Sequence, residues 1–512
     1  MTVKAGDVPS CVIDLTSGCP TVERDTPLGR VRGFSRGGAD TFLAIPYGRF
    51  AGRFLPVDAA QGWEGTRDAT KYAPYCPQQV HPSVDPIRLR GEADEECFYV
   101  NVHIPEGATI GADLPVLVWI HGGGFGGGSA NAFDGSALAV AANAVVVTLN
   151  YRLGLLGWLD VSDLGPEYRR SGDCWLMDQV AALEWVHSNV TAFGGDPGLV
   201  TIMGTSAGAA SVLALYQVPE ARGLFHRAVA CSPPHFPHEP RSDLATMIAK
   251  KRRTTPAQAR TWALRATVDE LVALGFGDLS TMASTGPVYA VPTGQGIGKR
   301  EGGVPPLIVG FTSHEGDFFT SRLSSWWMRG PVGAVVLGVM SRSMLVACAD
   351  GRASVTGYAK RLRRAYGSSR RARVDRLFVD FFRRSSISCA LAVTDAGSRA
   401  YLYELDVPCV IDGIATRSTH SAEQELTFHA VTDPDAWVMP RLLHFDERSD
   451  LTRAWANVLG QFIRTGEPGD GLGPWAPYDG HTRLSILITP TGSKPQRDRD
   501  GWHRRSVWGD DD

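Results

Sequence analysis

The sequence predicts an α/β fold in which a central, mostly parallel sheet is covered by helices on both faces. Three observations carry that reading. Short runs of Val, Ile and Leu recur along the chain, apolar at nearly every position. Each run ends in Gly, Ser, Asn, Cys, Thr or Asp, and helical patterns lie between them. The chain is also long, at 512 residues, and a folded chain of that size hides roughly three quarters of the surface it exposes when unfolded. Strands buried on both faces look like these runs, because a parallel sheet carries helices on both sides.

Taken in order, the expected strands are these. Leu114–Ile120 leads into the stretch HGGGFGGGSA, and Ala144–Leu149 into Asn150-Tyr151-Arg152. Leu199–Met203 leads into Gly204-Thr205-Ser206, and Arg227–Ala230 into Cys231-Ser232. Pro306–Phe311 leads into Thr312-Ser313-His314-Glu315, and Ala400–Leu405 into Asp406. Helices are expected over Asp178–His187 and Asp450–Arg464, the second with Leu451, Trp455, Leu459 and Phe462 in register on one face. Two more polar, helical stretches interrupt the strand series, and they are expected to form cap segments around 234–305 and 321–384. A single domain over 21–490 is expected, with an N-terminal extension over 1–20 and a charged tail over 491–512.

Composition narrows the function. Basic and acidic residues nearly balance, 51 against 54, for a net charge of −3. No basic face is implied, so nucleic acid is not an expected partner. A hydrophobic share of 43% and a charged share of 21% exclude disorder and coiled coil. No apolar run reaches the ~18 residues that a membrane span needs. Asp7 and Asp14 break any signal-peptide core, so a cytoplasmic location is expected, with secretion left open. The nine cysteines show no C-x-x-C spacing, and no zinc or redox site is expected. Oligomeric state is not readable.

Ligands in open parallel sheets sit at the carboxyl ends of the strands, so the residues after each strand are the ones to read for chemistry. Gly204-Thr205-Ser206-Ala207-Gly208 follows an expected strand and opens an apolar helix. This is the G-x-S-x-G pattern of a strained turn that lifts a serine hydroxyl above the sheet, where only small neighbours fit. His121-Gly122-Gly123-Gly124-Phe125 follows another strand. Its glycines let backbone amides approach a bound oxyanion, and Gly123, Gly124 and Ala207 would supply such donors. A phosphate loop would need G-K-[ST], which is absent. A serine nucleophile needs a base, and the base a carboxylate. Chain order in such a fold is serine, acid, histidine, which points to Ser206, Glu315 and His420. His314 and His429 are the rival bases and Asp317 the rival acid.

These motifs, with Phe42-Leu43-Ala44-Ile45-Pro46-Tyr47, Glu95-Glu96-Cys97-Phe98-Tyr99-Val100-Asn101-Val102, Phe193-Gly194-Gly195-Asp196-Pro197 and Thr465-Gly466-Glu467-Pro468, make the chain resemble the type-B carboxylesterases. These are relatives of the cholinesterases within the α/β-hydrolase fold. The resemblance implies the triad Ser206, Glu315 and His420, and an oxyanion hole of Gly123, Gly124 and Ala207. It implies that Cys76 and Cys97 fall where the family often has a disulfide, although in a reducing compartment they could equally be thiols. Departures accompany it. Thr205 stands where cholinesterases carry Glu, and the segment between Cys76 and Cys97 holds no aromatic residue to face a choline cation. Where the family tends to read Q-S-G-S, the chain has Cys231-Ser232-Pro233-Pro234; the serine that supports the acid is therefore missing or is Ser232.

The expectation is a serine carboxylic-ester hydrolase, working through an acyl-enzyme on a small to medium, uncharged apolar or aromatic ester, with no metal or organic cofactor. Phe125, Thr205, Trp326 and Trp327 are the candidate substrate-contacting residues, although an aromatic cluster fits ordinary packing as well. An acyltransferase or lactone-forming or -opening enzyme using the same triad is the alternative, and an inactive binding module the third reading.

Overall fold

The computed structural model describes residues 18–497, apart from 80–88, 236–242, 276–296, 298–302, 321–351, 367–369, 412–413, 429–440 and 443–449. At its centre is a 13-stranded sheet. Leu114–Ile120 is buried at every position, and so is Val145–Leu149. A strand with no polar face must be covered on both sides, and these two pair in parallel at the middle of the sheet. Gly195–Thr205 pairs in parallel with Leu114–Ile120 on the other side. Parallel pairing continues through Arg227–Cys231, Leu307–Thr312, Ala400–Leu405 and Leu484–Thr489.

The flanks are antiparallel. Thr21–Thr26, Gly29–Arg36, Ala39–Pro46 and Tyr99–Pro105 form one flank, in which the outermost strand alternates exposed and half-buried residues. At the opposite edge Gly492–Arg497 pairs with Leu484–Thr489, so the sheet continues past residue 490 into the expected tail. Edge strands of this kind carry charge on their open side, which discourages pairing with another chain.

Helices cover both faces and divide the core in two. On one face Cys174–Asn189 buries Trp175, Leu176, Val180, Leu183 and Val186 against the sheet. On the other, Asp450–Thr465 buries Leu451, Trp455, Val458, Leu459, Phe462 and Ile463 with Leu117, Trp119 and Val146. Arg152 and Asp178 form a fully buried pair at 2.6 Å, with the Arg152 N–H groups also donating to Asp178 Oδ2 and to the Leu55 carbonyl. Parts of the two cap stretches are helical: Leu244–Arg252, Pro256–Ala263 and Val268–Ala273 in the first, and Arg352–Tyr366 and Arg370–Asp395 in the second. Among the described residues, no helix is long and apolar enough to cross a membrane. Trp326, Trp327 and His429 lie outside the described residues.

Candidate active site

The strand Gly195–Thr205 turns directly into the helix Ala207–Leu215, and Ser206 is the corner. Its φ of 54° and ψ of −122° are a conformation that a non-glycine residue adopts only when its surroundings impose it. Its neighbours show why they are glycines. A Cβ on Gly204 would lie 2.5 Å from the Gly208 carbonyl carbon, and one on Gly208 would lie 2.1 Å from the Ile120 oxygen. Ser206 is thus partly exposed at the carboxyl end of its strand, at the positive end of a helix.

The loop after Leu114–Ile120 lies against this corner, since a Cβ on Gly122 would meet the Thr205 oxygen at 2.6 Å. Gly123 and Gly124 take φ of 112° and 62°. The Gly123 carbonyl accepts from the Gly126 and Gly127 amides, whereas no backbone hydrogen bond uses the amides of Gly123, Gly124 or Ala207 among the described residues. His121 supports the loop from below. It stacks on Tyr151 at 4.5 Å, Tyr151 donates its hydroxyl proton to the His121 carbonyl, and burial pushes the imidazole down to about 4, so the ring is neutral. Gln78 clamps the far end of the loop through both sides of one peptide-like pair: its Nε2 donates to the Gly128 carbonyl at 2.9 Å, and the Gly128 N–H donates to its Oε1 at 2.7 Å.

Glu315 follows the strand Leu307–Thr312, and His420 lies in the turn between Ile414–Thr416 and the helix Glu423–Phe428; the two side chains meet. His420 Nδ1 lies 2.6 Å from Glu315 Oε2, with both side chains buried. This contact leaves Nε2 as the nitrogen available to a serine. Glu315 is held from its other oxygen, where Oε1 accepts from the Thr312 N–H at 2.8 Å and from the Ser232 hydroxyl at 2.7 Å. Ser232 is therefore the serine that supports the acid, and it sits at the end of its strand with φ of 51°. Phe382 stacks on His420 at 4.4 Å, and the half-buried Phe318 and Phe319 lie at 5.7 and 5.4 Å. The Ser206 hydroxyl makes no hydrogen bond to His420; such contacts are often loose before substrate arrives.

The rivals have other partners. His314 Nδ1 contacts the Ser313 hydroxyl, which donates to Asp406. Asp317 is paired with Arg417 at 3.0 Å, which holds its carboxyl below the usual range despite partial burial.

Two expectations about the pocket need correction. Phe125 is fully buried and packs edge-on against Trp158 and Trp175 at 5.0 and 4.8 Å. Its positive φ, 54°, turns the side chain into the core, so it is a packing residue. Thr205 is 1% exposed and is the last residue of its strand, so its side chain is buried too. The implied disulfide is likewise absent. Cys76 and Cys97 are both buried free thiols joined by a hydrogen bond, and that bond together with burial pushes the Cys97 thiol well up.

Sequence reasoning also missed two residues. Gln78 donates locally to the Cys76 carbonyl, but its partner Gly128 is 50 residues away. Glu423 is 1% exposed and lies 3.2 Å from the Ser232 hydroxyl. A signal for it existed, since it stands three positions after His420 in a short helix whose six residues are all buried.

A parallel sheet with an elbow serine at its carboxyl ends, and a buried glutamate–histidine pair supplied by later loops, defines an α/β-hydrolase. The chain belongs to the carboxylesterase family, enzymes that hydrolyse carboxylic esters, whose model matches residues 20–501. It is 44% identical to the para-nitrobenzyl esterase of Bacillus subtilis over 209 residues, 40% of this chain and 42% of that protein. It is 29% identical to liver carboxylesterase 1 of Mus musculus over 523 residues, 92% of this chain and 90% of that protein. Among solved structures, a Geobacillus stearothermophilus carboxylesterase superposes with a TM-score of 0.75 at 27% identity, over 95% of this chain and 99% of that one.

Proposed function

We propose that the protein is a serine carboxylesterase in which Ser206 attacks the ester carbonyl, His420 moves the proton, and Glu315 holds the imidazole. The 2.6 Å contact between Glu315 and His420, residues 105 apart in sequence, is the observation that carries this reading. In the first half-reaction His420 Nε2 takes the hydroxyl proton as Ser206 Oγ bonds to the carbonyl carbon. Glu315, already hydrogen-bonded at Nδ1, stabilises the imidazolium. The uncommitted amides of Gly123, Gly124 and Ala207 receive the oxyanion, a role worth about 3 kcal/mol per donor in measured cases. His420 then returns the proton to the leaving alcohol. Water attacks the acyl-enzyme through the same base and frees the acid.

The substrate is a small to medium, uncharged ester with an apolar or aromatic group. Phe318 and Phe319 support this, because they are half-buried and put aromatic carbon beside the base. Thr205, where cholinesterases carry Glu, places no carboxylate beside the nucleophile. The test is p-nitrophenyl ester hydrolysis with fluorophosphonate labelling. Ser206→Ala is expected to lose both the activity and the label; retained hydrolysis in that variant would overturn the assignment.

A further inference from the structure

Behind Glu315 lies a second buried carboxylate, Glu423, which the reaction as described does not use. Its environment can be read by counting protons. The Ser232 hydroxyl is 2.7 Å from Glu315 Oε1 and 3.2 Å from Glu423 Oε1. A hydroxyl has one proton to give. If that proton goes to Glu315 at the shorter distance, the longer contact sets two lone pairs against each other unless Glu423 carries a proton of its own. Tyr403 adds a donor at 3.0 Å, but to the same oxygen of Glu423. Among the described residues, Oε2 of Glu423 is buried with no hydrogen-bond partner. An ionised carboxylate would leave much of its charge on that bare oxygen, far costlier than burying a neutral acid.

We propose that Glu423 rests as the neutral acid and is a positioning residue, donating to Ser232, which donates in turn to Glu315, so that Glu315 remains the only anion beside His420. The inference rests on the triad reading above. The titratable groups facing Glu423 are Glu315 after one strand, Tyr403 within the next, Cys231 at the end of a third, His420 on its own loop and Cys409 beyond. None is a permanent cation. Burial and the Glu315 charge push the Glu423 carboxyl up to about 7, in keeping with this count. Above that range Glu423 loses its proton. Ser232 then faces two anions, and the added negative charge favours the protonated, unreactive form of His420.

The experiment is the pH dependence of kcat/KM for a p-nitrophenyl ester, with fluorophosphonate labelling of Ser206 alongside. The wild-type acid limb is expected to need two overlapping ionisations. Glu423→Gln keeps an N–H donor for Ser232 but cannot ionise; its limb is expected to simplify to one ionisation and move to lower pH, with activity reduced less than about tenfold. Glu423→Leu removes the donor and is expected to fall about tenfold or more below Glu423→Gln, the cost of leaving the buried Ser232 and Tyr403 hydroxyls short of a partner. A one-ionisation limb in the wild type, a Glu423→Gln profile that superimposes on it, or a Glu423→Gln variant as impaired as Glu423→Leu would each overturn the proposal. The wild-type result stands even if neither variant folds. If labelling locates the nucleophile elsewhere than Ser206, the triad reading itself falls; if Ser206 is labelled and the profiles superimpose, only the role of Glu423 falls.

Discussion

Glu315→Gln is the substitution whose outcome the structure constrains most tightly. Glutamine has nearly the same shape, so the fold is expected to survive, but one carboxylate oxygen becomes an NH₂ group. Which one follows from the neighbours. Oε1 receives the Thr312 backbone N–H at 2.8 Å, a donor that cannot turn away, together with the Ser232 hydroxyl. The amide oxygen must take that place, which aims the NH₂ at His420 Nδ1, now 2.6 Å from an acceptor. His420 then has to accept at Nδ1 and carries its proton on Nε2, the nitrogen that should receive the serine proton. The analogous change in a serine protease triad drops kcat by about 10⁴, or about 5 kcal/mol of transition-state stabilisation. Steady-state hydrolysis of a p-nitrophenyl ester should show kcat reduced by that order with KM little changed, and a thermal melt should show the variant folded. A folded Glu315→Gln enzyme keeping more than about a tenth of wild-type kcat would refute the reasoning.

Other outcomes are equally specific. Phe318→Ala should raise KM for an aromatic ester by about tenfold with a smaller change in kcat, since it removes one apolar contact wall; a ligand series comparing aromatic with acetyl esters checks this. Asp178→Asn should cost about 3–5 kcal/mol in urea denaturation, because it strands the buried Arg152 charge. His121 is buried neutral with its imidazole near 4, whereas an unfolded histidine titrates near 6.5. The unfolded chain therefore binds the extra proton first, and this site's contribution to stability falls as pH drops from about 6.5 to about 4, by about 3 kcal/mol in all. His121→Asn should flatten that part of the stability curve relative to the wild type. Alkylation of the unreduced, denatured protein should modify both Cys76 and Cys97, detected by mass; blocked thiols would show that the pair is oxidised.

The sequence is most legible where burial leaves no choice. Ala400–Leu405 was expected and found over the same residues, because a six-residue run with apolar side chains on both faces has few other structures open to it. The outer strands Thr21–Thr26 and Gly29–Arg36 were not read, since their charged residues alternate like those of a loop until an antiparallel neighbour is known. In the site, Ser206 and the glycines of the facing loop are local signals: their constraint is the chain's own backbone. Gln78 and Glu423 are not, because each acquires its role from partners that only the fold brings near. Phe125 misled for a related reason. An aromatic ring after a glycine-rich loop suggests a pocket wall, and only its burial against Trp158 and Trp175 shows the ring turned inward.

The proposed reacting groups lie far apart in sequence, at residues 206, 315 and 420. The elbow is built with Gly195–Thr205, whereas the Glu315–His420 contact needs the chain as far as residue 420. A nascent chain halted anywhere before residue 420 holds a serine without a base. If the proposed triad is the catalytic one, onset of turnover can serve as a clock for synthesis past that residue.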